Sequence, residues 1–237
     1  MSLTIVRLYH DLLGTYGDQG NAEILIHRAR ARGIDVELVE VAPHTAVPTQ
    51  GNIYLLGGGE DGPQTAALEM LAKDQGLNKA ISHGATVFAV CAGFQIIGST
   101  LPGADGAKIS GLGILDAETI YDSSPRSVGE LVIQRGSVVM TGFENHQGLT
   151  RLGRDVSPLG SVISGIGNGL EAASCTRPEG AHDGNIYGTY MHGPAMARNP
   201  ELADEVLTSA VGELVEYDDY WAQALAAERR FTLTRKV

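Results

Sequence analysis

Cysteine is nearly absent: the 237-residue chain has two, Cys91 and Cys175. They stand far apart and form no C-x-x-C pair, which excludes a disulfide framework and a cysteine-built zinc site. Positive charge is scarce as well. Seventeen Lys and Arg face 28 Asp and Glu, a formal net charge of −11, which is the wrong sign for a nucleic-acid partner bound through its phosphates. No apolar run is long enough to cross a bilayer. The opening Met1-Ser2-Leu3-Thr4-Ile5 lacks the cationic head, long apolar centre and small-residue cleavage site of a signal peptide. It reads as a first strand, and the expected compartment is the cytoplasm, where free thiols stay reduced. No G-x-x-x-x-G-K-[ST] loop is present, so the chain has no recognisable means of activating a carboxylate with ATP. Gly57-Gly58-Gly59-Glu60-Asp61-Gly62 fits G-x-G-x-x-G, yet it follows a later strand, and His83 and Gly84 stand where a ribose-binding acid belongs; a dinucleotide site is rejected. Neither metal nor cofactor is expected in this chain.

What is present is a globular composition, 43% hydrophobic and 19% charged, with 31 glycines. That supports one core, and a single domain over 1–237 is expected, its glycines marking tight turns and loops built over a sheet. The first half alternates. Strands are predicted at Leu3 to Leu8, Val36 to Val41, Ile53 to Leu56 and Thr86 to Val90, with helices after Asn21 (a candidate cap, with Gly33 as the stop), from Pro63 to Lys73 and from Leu77 to His83. Such alternation gives an α/β fold with a mostly parallel central sheet flanked by helices. From Gly111 to Gly169 short strands dominate, including Gly113 to Glu118, Leu131 to Gln134 and Val138 to Thr141, and predict an antiparallel, edge-forming extension. A last strand spans Ile186 to Met191, and helices close the chain at Pro200 to Val211 and Tyr217 to Arg230.

The most informative stretch is Thr86-Val87-Phe88-Ala89-Val90-Cys91-Ala92-Gly93-Phe94-Gln95. A short apolar strand enters a bend of small residues and leaves as a helix, which is the pattern of a nucleophile elbow. Ala92 and Gly93 allow the close packing such a bend needs, and helix amides near the sulfur favour its reactive, negative form. A thiol nucleophile works with a histidine that takes and returns a proton. His192, at the end of the strand Ile186 to Met191, is one candidate; His146 is its rival.

Together, the Cys91-Ala92-Gly93-Phe94-Gln95 elbow, the Gly57-Gly58-Gly59 loop and Gly188-Thr189-Tyr190-Met191-His192-Gly193-Pro194 resemble the class I glutamine amidotransferases of the cobyric-acid-synthase-like branch. Tyr16-Gly17-Asp18-Gln19-Gly20-Asn21 and Gly142-Phe143-Glu144-Asn145-His146 narrow the resemblance to the glutaminase subunits of lipid II isoglutaminyl synthase. The resemblance implies the class I amidotransferase fold, with Cys91 attacking the side-chain amide of glutamine and His192 as base and acid. It implies that the Ala92 and Gly58 amides hold the oxyanion, that Gln95 touches the bound glutamine and that Arg126 grips its carboxylate. It further implies a heterodimer with a Mur-ligase-like synthetase, MurT, which receives the ammonia, carries ATP and Mg, and amidates the D-glutamate α-carboxylate of lipid II. Two positions depart from the pattern. Ala89 replaces an elbow glycine, and Pro194 stands where many relatives have a glutamate orienting the histidine. Glu144, Glu171 or Asp183 could substitute, the chain could run a Cys-His dyad, or the partner could supply an acid. The basic tail of Arg229, Arg230, Arg235 and Lys236 reads as solvated, with contact to the partner or to anionic lipid as the other option. Other functions compatible with an elbow are a ThiJ/PfpI-like cysteine hydrolase or redox sensor, a non-enzymatic binding module, and a cobyrinic-acid-type amidotransferase.

Overall fold

The computed structural model describes residues 2–103, 105–121, 125–173, 175 and 177–235. Its first half runs β1 (Ser2–Leu8), α1 (Gly20–Ala31), β2 (Asp35–Val41), β3 (Ile53–Leu56), α2 (Asp61–Asp74), α3 (Gly76–Ser82), β4 (Thr86–Val90) and α4 (Ala92–Ile97). Short strands follow: β5 (Thr100–Pro102), β6 (Lys108–Ser110), β7 (Ala117–Ile120), β8 (Ser127–Arg135), β9 (Val138–His146), β10 (Leu149–Leu152), β11 (Gly160–Ser164), β12 (Pro178–Glu179), β13 (Ala181–Asp183) and β14 (Ile186–Thr189). The chain then turns helical in α5 (Ala195–Arg198), α6 (Pro200–Val211) and α7 (Tyr220–Thr234).

The central sheet has the order β13-β14-β4-β3-β1-β2. Its strands pair in parallel except for β13, which meets β14 antiparallel. β3 and β4 are buried at every position, which explains why they read as unbroken apolar runs and not as alternating ones. α1 packs with α5 and α6, and α2 with α4. The parallel α/β expectation therefore holds. The antiparallel part differs from an edge extension: apart from β13, the intervening strands form two further four-stranded sheets, β10-β7-β5-β6 and β12-β11-β8-β9.

Two local expectations are corrected and a third holds. Asn21 does not cap α1, which begins at Gly20; its Oδ1 instead accepts the Met196 N–H at 3.0 Å. Gly33 does end the turn after the helix, at φ 73°. The C-terminal basic residues are no loose tail, because α7 runs to Thr234 and Arg230 pairs with Glu201 while Arg235 lies 4.1 Å from the Phe231 ring. Lys236 lies outside the described residues. Arg28 of α1, almost fully buried, ties this end of the chain down by hydrogen bonds of 2.7 Å to Asp204 and Asp219.

Candidate active site

β4 delivers Cys91 into a bend at φ 51° and ψ −106°, a conformation that suits glycine and strains a residue with a side chain. The bend is closed by the Cys91 N–H donating to Thr189 O at 2.8 Å and by the Gly93 N–H donating to Gly57 O at 3.1 Å. Gly93 is required by closeness: a Cβ there would sit 2.6 Å from Leu56 Cβ and 2.8 Å from Leu56 O. Gly93→Ala is therefore expected to push α4 off β3, at a cost of about 1–3 kcal/mol in denaturant unfolding together with lost activity. Ala89, in place of the family glycine, is fully buried between β3 and β14 without disturbing the register. The Ala92 N–H, at the first position of α4, has no backbone partner among the described residues.

β14 lies beside β4 in parallel register, with Thr189 opposite Val90, so the residues following the two strands meet at one edge of the sheet. His192 arrives there fully buried. Its backbone exchanges hydrogen bonds with Phe143 of β9 at 2.8 and 3.2 Å. Its Nδ1 lies 2.9 Å from Asp18 Oδ2, and both side chains are almost completely buried. Nε2 is buried and makes no hydrogen bond of its own, while the Cys91 thiol is near enough to act on the charge of the ring. Burial opposes an imidazolium here, but Asp18, hydrogen-bonded to Nδ1, and Cys91 beside the ring outweigh it and push His192 up to about 10.

Asp18 is the acid that sequence reasoning missed. Glu171 and Asp183 are exposed, and Glu144 accepts the Ile166 and Gly167 N–H groups at 2.8 and 2.9 Å beside His146, not His192. Asp18 arrives on the loop after β1, bent by Tyr16 at φ 56° and Gly17 at φ 80° and pinned by the Thr15 N–H to Gly58 O bond of 3.1 Å. Its one sequence signal is its place in Tyr16-Gly17-Asp18-Gln19-Gly20-Asn21, a segment that carries the family resemblance.

The other expected residues gather around this core with some changes of partner. The Gly58 N–H donates to Asp18 Oδ2 at 2.8 Å, so the amide expected to hold an oxyanion is committed to the acid. No side chain fits at this position, because a Cβ would come within 2.6 Å of His192 Cε1. Gln95 is buried in α4, its Oε1 accepting from Gln64 Nε2 at 2.8 Å and its Nε2 donating to the Tyr190 hydroxyl at 3.3 Å. Gln64, unremarked in the sequence, thus braces the elbow helix, and it also reaches Ala92 O at 3.3 Å. Arg126 is exposed, held by Asn145, whose amide reaches Tyr16 beside His192. The rival His146 is buried in a different place, stacked on Tyr190 at 3.8 Å.

Behind the site, Glu179 is fully buried and holds the turn after β14, accepting from the Thr189 hydroxyl at 2.8 Å and the Tyr190 N–H at 2.7 Å. Burial pushes its carboxyl up to about 7 against those hydrogen bonds, with Glu144 adding repulsion. An acid raised in the folded state contributes stability below its ordinary 4.5 and loses it as pH rises through about 7. That loss amounts to at most about 3 kcal/mol. Glu179→Gln keeps the accepting oxygen and is expected to remove this slope, as urea unfolding at pH 5 and pH 8 would reveal.

Cys91, His192, Asp18 and the glycine loop follow β4, β14, β1 and β3, so the cluster lies beyond the carboxyl ends of a parallel sheet, where α/β folds place their sites. A nucleophile, a buried base and an acid on the far nitrogen of that base form an arrangement suited to acyl transfer. Among the described residues no group of three His, Cys, Asp or Glu side chains could hold a metal ion. The CobB/CobQ-like glutamine amidotransferase domain matches residues 4–200. The GatD subunit of the glutamine-hydrolysing lipid II isoglutaminyl synthase of Streptococcus pneumoniae is 35% identical, covering 95% of this chain and 90% of the relative. The GatD subunit of Staphylococcus aureus is 36% identical over 88% of this chain and 84% of its own length. A crystal structure of a glutamine amidotransferase superposes with a TM-score of 0.57 at 17% identity, covering 86% of this chain and 98% of that one, a likeness of fold. By sequence and by fold, the chain belongs to the CobB/CobQ-like glutamine amidotransferase family and, within it, to the GatD-type subunits.

Proposed function

We propose that this glutamine amidotransferase hydrolyses L-glutamine to glutamate and ammonia at Cys91 and His192, with Asp18 as the orienting acid. The observation that carries the reading is the buried contact of His192 Nδ1 with Asp18 Oδ2 at 2.9 Å, one strand away from a strained Cys91. With His192 pushed up to about 10, the resting imidazole is protonated at neutral pH and favours negative charge on the sulfur beside it. The sulfur attacks the amide carbon, forming a C–S bond and a tetrahedral oxyanion toward the Ala92 N–H. Collapse breaks the C–N bond, and His192 gives its proton to the departing nitrogen, so ammonia leaves and a thioester remains. Acylation removes the negative sulfur that helped hold the proton. Neutral His192 then takes a proton from water, hydroxide displaces the sulfur, and glutamate leaves.

The ammonia goes, in this reading, to a MurT-type ATP-dependent ligase that amidates the D-glutamate α-carboxylate of lipid II to D-isoglutamine; ATP and Mg belong to that partner. Two GatD relatives covering most of the chain support that assignment, as does the lack of a phosphate-binding loop. The pair acts in the cytoplasm, and this subunit is one amidotransferase domain. No helix among the described residues is long and apolar enough to cross a membrane. The test is glutamate release from L-glutamine by the purified chain, alone and with the co-expressed ligase, followed by transfer of amide ¹⁵N to lipid II. Glutamate release with ¹⁵N in isoglutamine supports the reading. Absence of glutamate under both conditions overturns it and favours a cysteine hydrolase or redox sensor of another kind.

A further inference from the structure

Two segments carry the family resemblance without a chemical role in the steps above, Tyr16-Gly17 of the loop after β1 and Phe143 to Asn145 of β9. They meet over His192. The Tyr16 ring lies 4.9 Å from the His192 ring at 60° and 6.3 Å from Phe143. Its hydroxyl accepts a hydrogen bond from Asn145 Nδ2, and Asn145 in turn accepts from Arg126 twice, from Nε at Oδ1 and from Nη2 at its backbone O, the latter at 3.2 Å. Two contacts from one residue fix the plane of the guanidinium, and a fork of fixed plane is what recognises a carboxylate. Tyr16 holds its place at φ 56° while 45% exposed. A strained and exposed aromatic gains little from burial, so its position is better explained by what it touches.

We infer that Asn145 is a positioning residue for glutamine recognition: it aims Arg126 at the substrate α-carboxylate and, through the Tyr16 hydroxyl, joins that grip to the ring packed on His192. The inference rests on the glutaminase reading above. β9 supplies the link mechanically, since Asn145 is two residues from Phe143, whose backbone exchanges hydrogen bonds with His192. Carboxylate capture and the base are thus both tied by hydrogen bonds to one strand.

The test compares L-glutamine with 4-aminobutanamide, which has the same side-chain amide and amine but no α-carboxylate, on the full chain with its ligase if the wild type requires it. Asn145→Ala is expected to lower kcat/KM for L-glutamine about 10-fold, mainly through KM, and to leave 4-aminobutanamide within about 2-fold. Tyr16→Phe keeps the ring on His192 and removes only the accepting hydroxyl; it is expected to move the same ratio in the same direction by less. The double variant should be no worse than Asn145→Ala, because both act through one chain of contacts. Equal losses on both substrates, or an unchanged preference in Tyr16→Phe and Asn145→Ala, would overturn the inference. If Asn145→Ala fails to fold, the preference ratio of Tyr16→Phe alone decides. A wild type that turns over neither amide would instead refute the glutaminase reading.

Discussion

Cys91→Ala is expected to lower glutamate release by at least about 10⁴-fold, to the background of the assay, with the chain still folded. The sulfur is the nucleophile the elbow presents, and removing it eliminates both the covalent step and one of the two groups, with Asp18, that hold the proton on His192. A second substitution separates chemistry from architecture. At φ 51° and ψ −106° any residue with a Cβ is strained, and glycine is not. Cys91→Gly is therefore expected to be as inactive as Cys91→Ala yet more stable than it by about 1 kcal/mol, after allowance for the greater freedom of glycine in the unfolded chain. Activity and thermal unfolding measured on the same two variants check both statements. A Cys91→Gly chain no more stable than Cys91→Ala would show that the bend stores no strain.

The elbow was legible in the sequence because its parts are contiguous: strand, bend and helix lie within ten residues, and each has a local signature. The parallel sheet was legible for a related reason, since β3 and β4 are buried on both faces and appear as short apolar runs between glycines. Pairing across distance was not. Asp18 and His192 are separated by 174 positions, and nothing in an aspartate between Gly17 and Gln19 says which histidine it will face. With Pro194 standing two residues after His192 in place of a carboxylate, the sequence offers Glu144, Glu171 and Asp183 as substitutes, and the residue that faces the ring is none of them. β9 illustrates a second limit. Its sequence supported a strand only from Val138 to Thr141, because the charged and polar Glu144, Asn145 and His146 break the apolar pattern. In the fold the strand continues to His146, paired with β8 to Ser127, and each of those polar residues finds a hydrogen-bond partner. Glu144 takes two amides, His146 bonds Gly148 O at 2.9 Å, and Asn145 holds Arg126. Functional residues broke the strand pattern there, as expected where a site is built into a sheet.

Asp18→Ala is expected to lower kcat by about 10³- to 10⁴-fold, the scale seen when the acid of a hydrolytic triad is removed. Asp18 Oδ2 serves two neighbours at once, His192 Nδ1 at 2.9 Å and the Gly58 N–H at 2.8 Å, so the alanine variant loses the ring orientation as well as the tie to the glycine loop. Asp18→Asn distinguishes charge from geometry. With its carbonyl oxygen in the place of Oδ2, the amide can accept both bonds and keep the ring where it is, while losing the negative charge. That variant is expected to retain more activity than Asp18→Ala, and its alkaline limit should move down from about 10 toward the ordinary 6.5 of histidine. Stability should follow the same group. A histidine raised in the folded state contributes stability that is complete below 6.5 and lost as pH rises through about 10, so wild-type unfolding free energy should fall across that window and the fall should shrink in both variants. If removing Asp18 leaves the pH profile of glutamate release unmoved, another acid orients His192 in the working enzyme, and a carboxylate from the ligase partner becomes the reading to test.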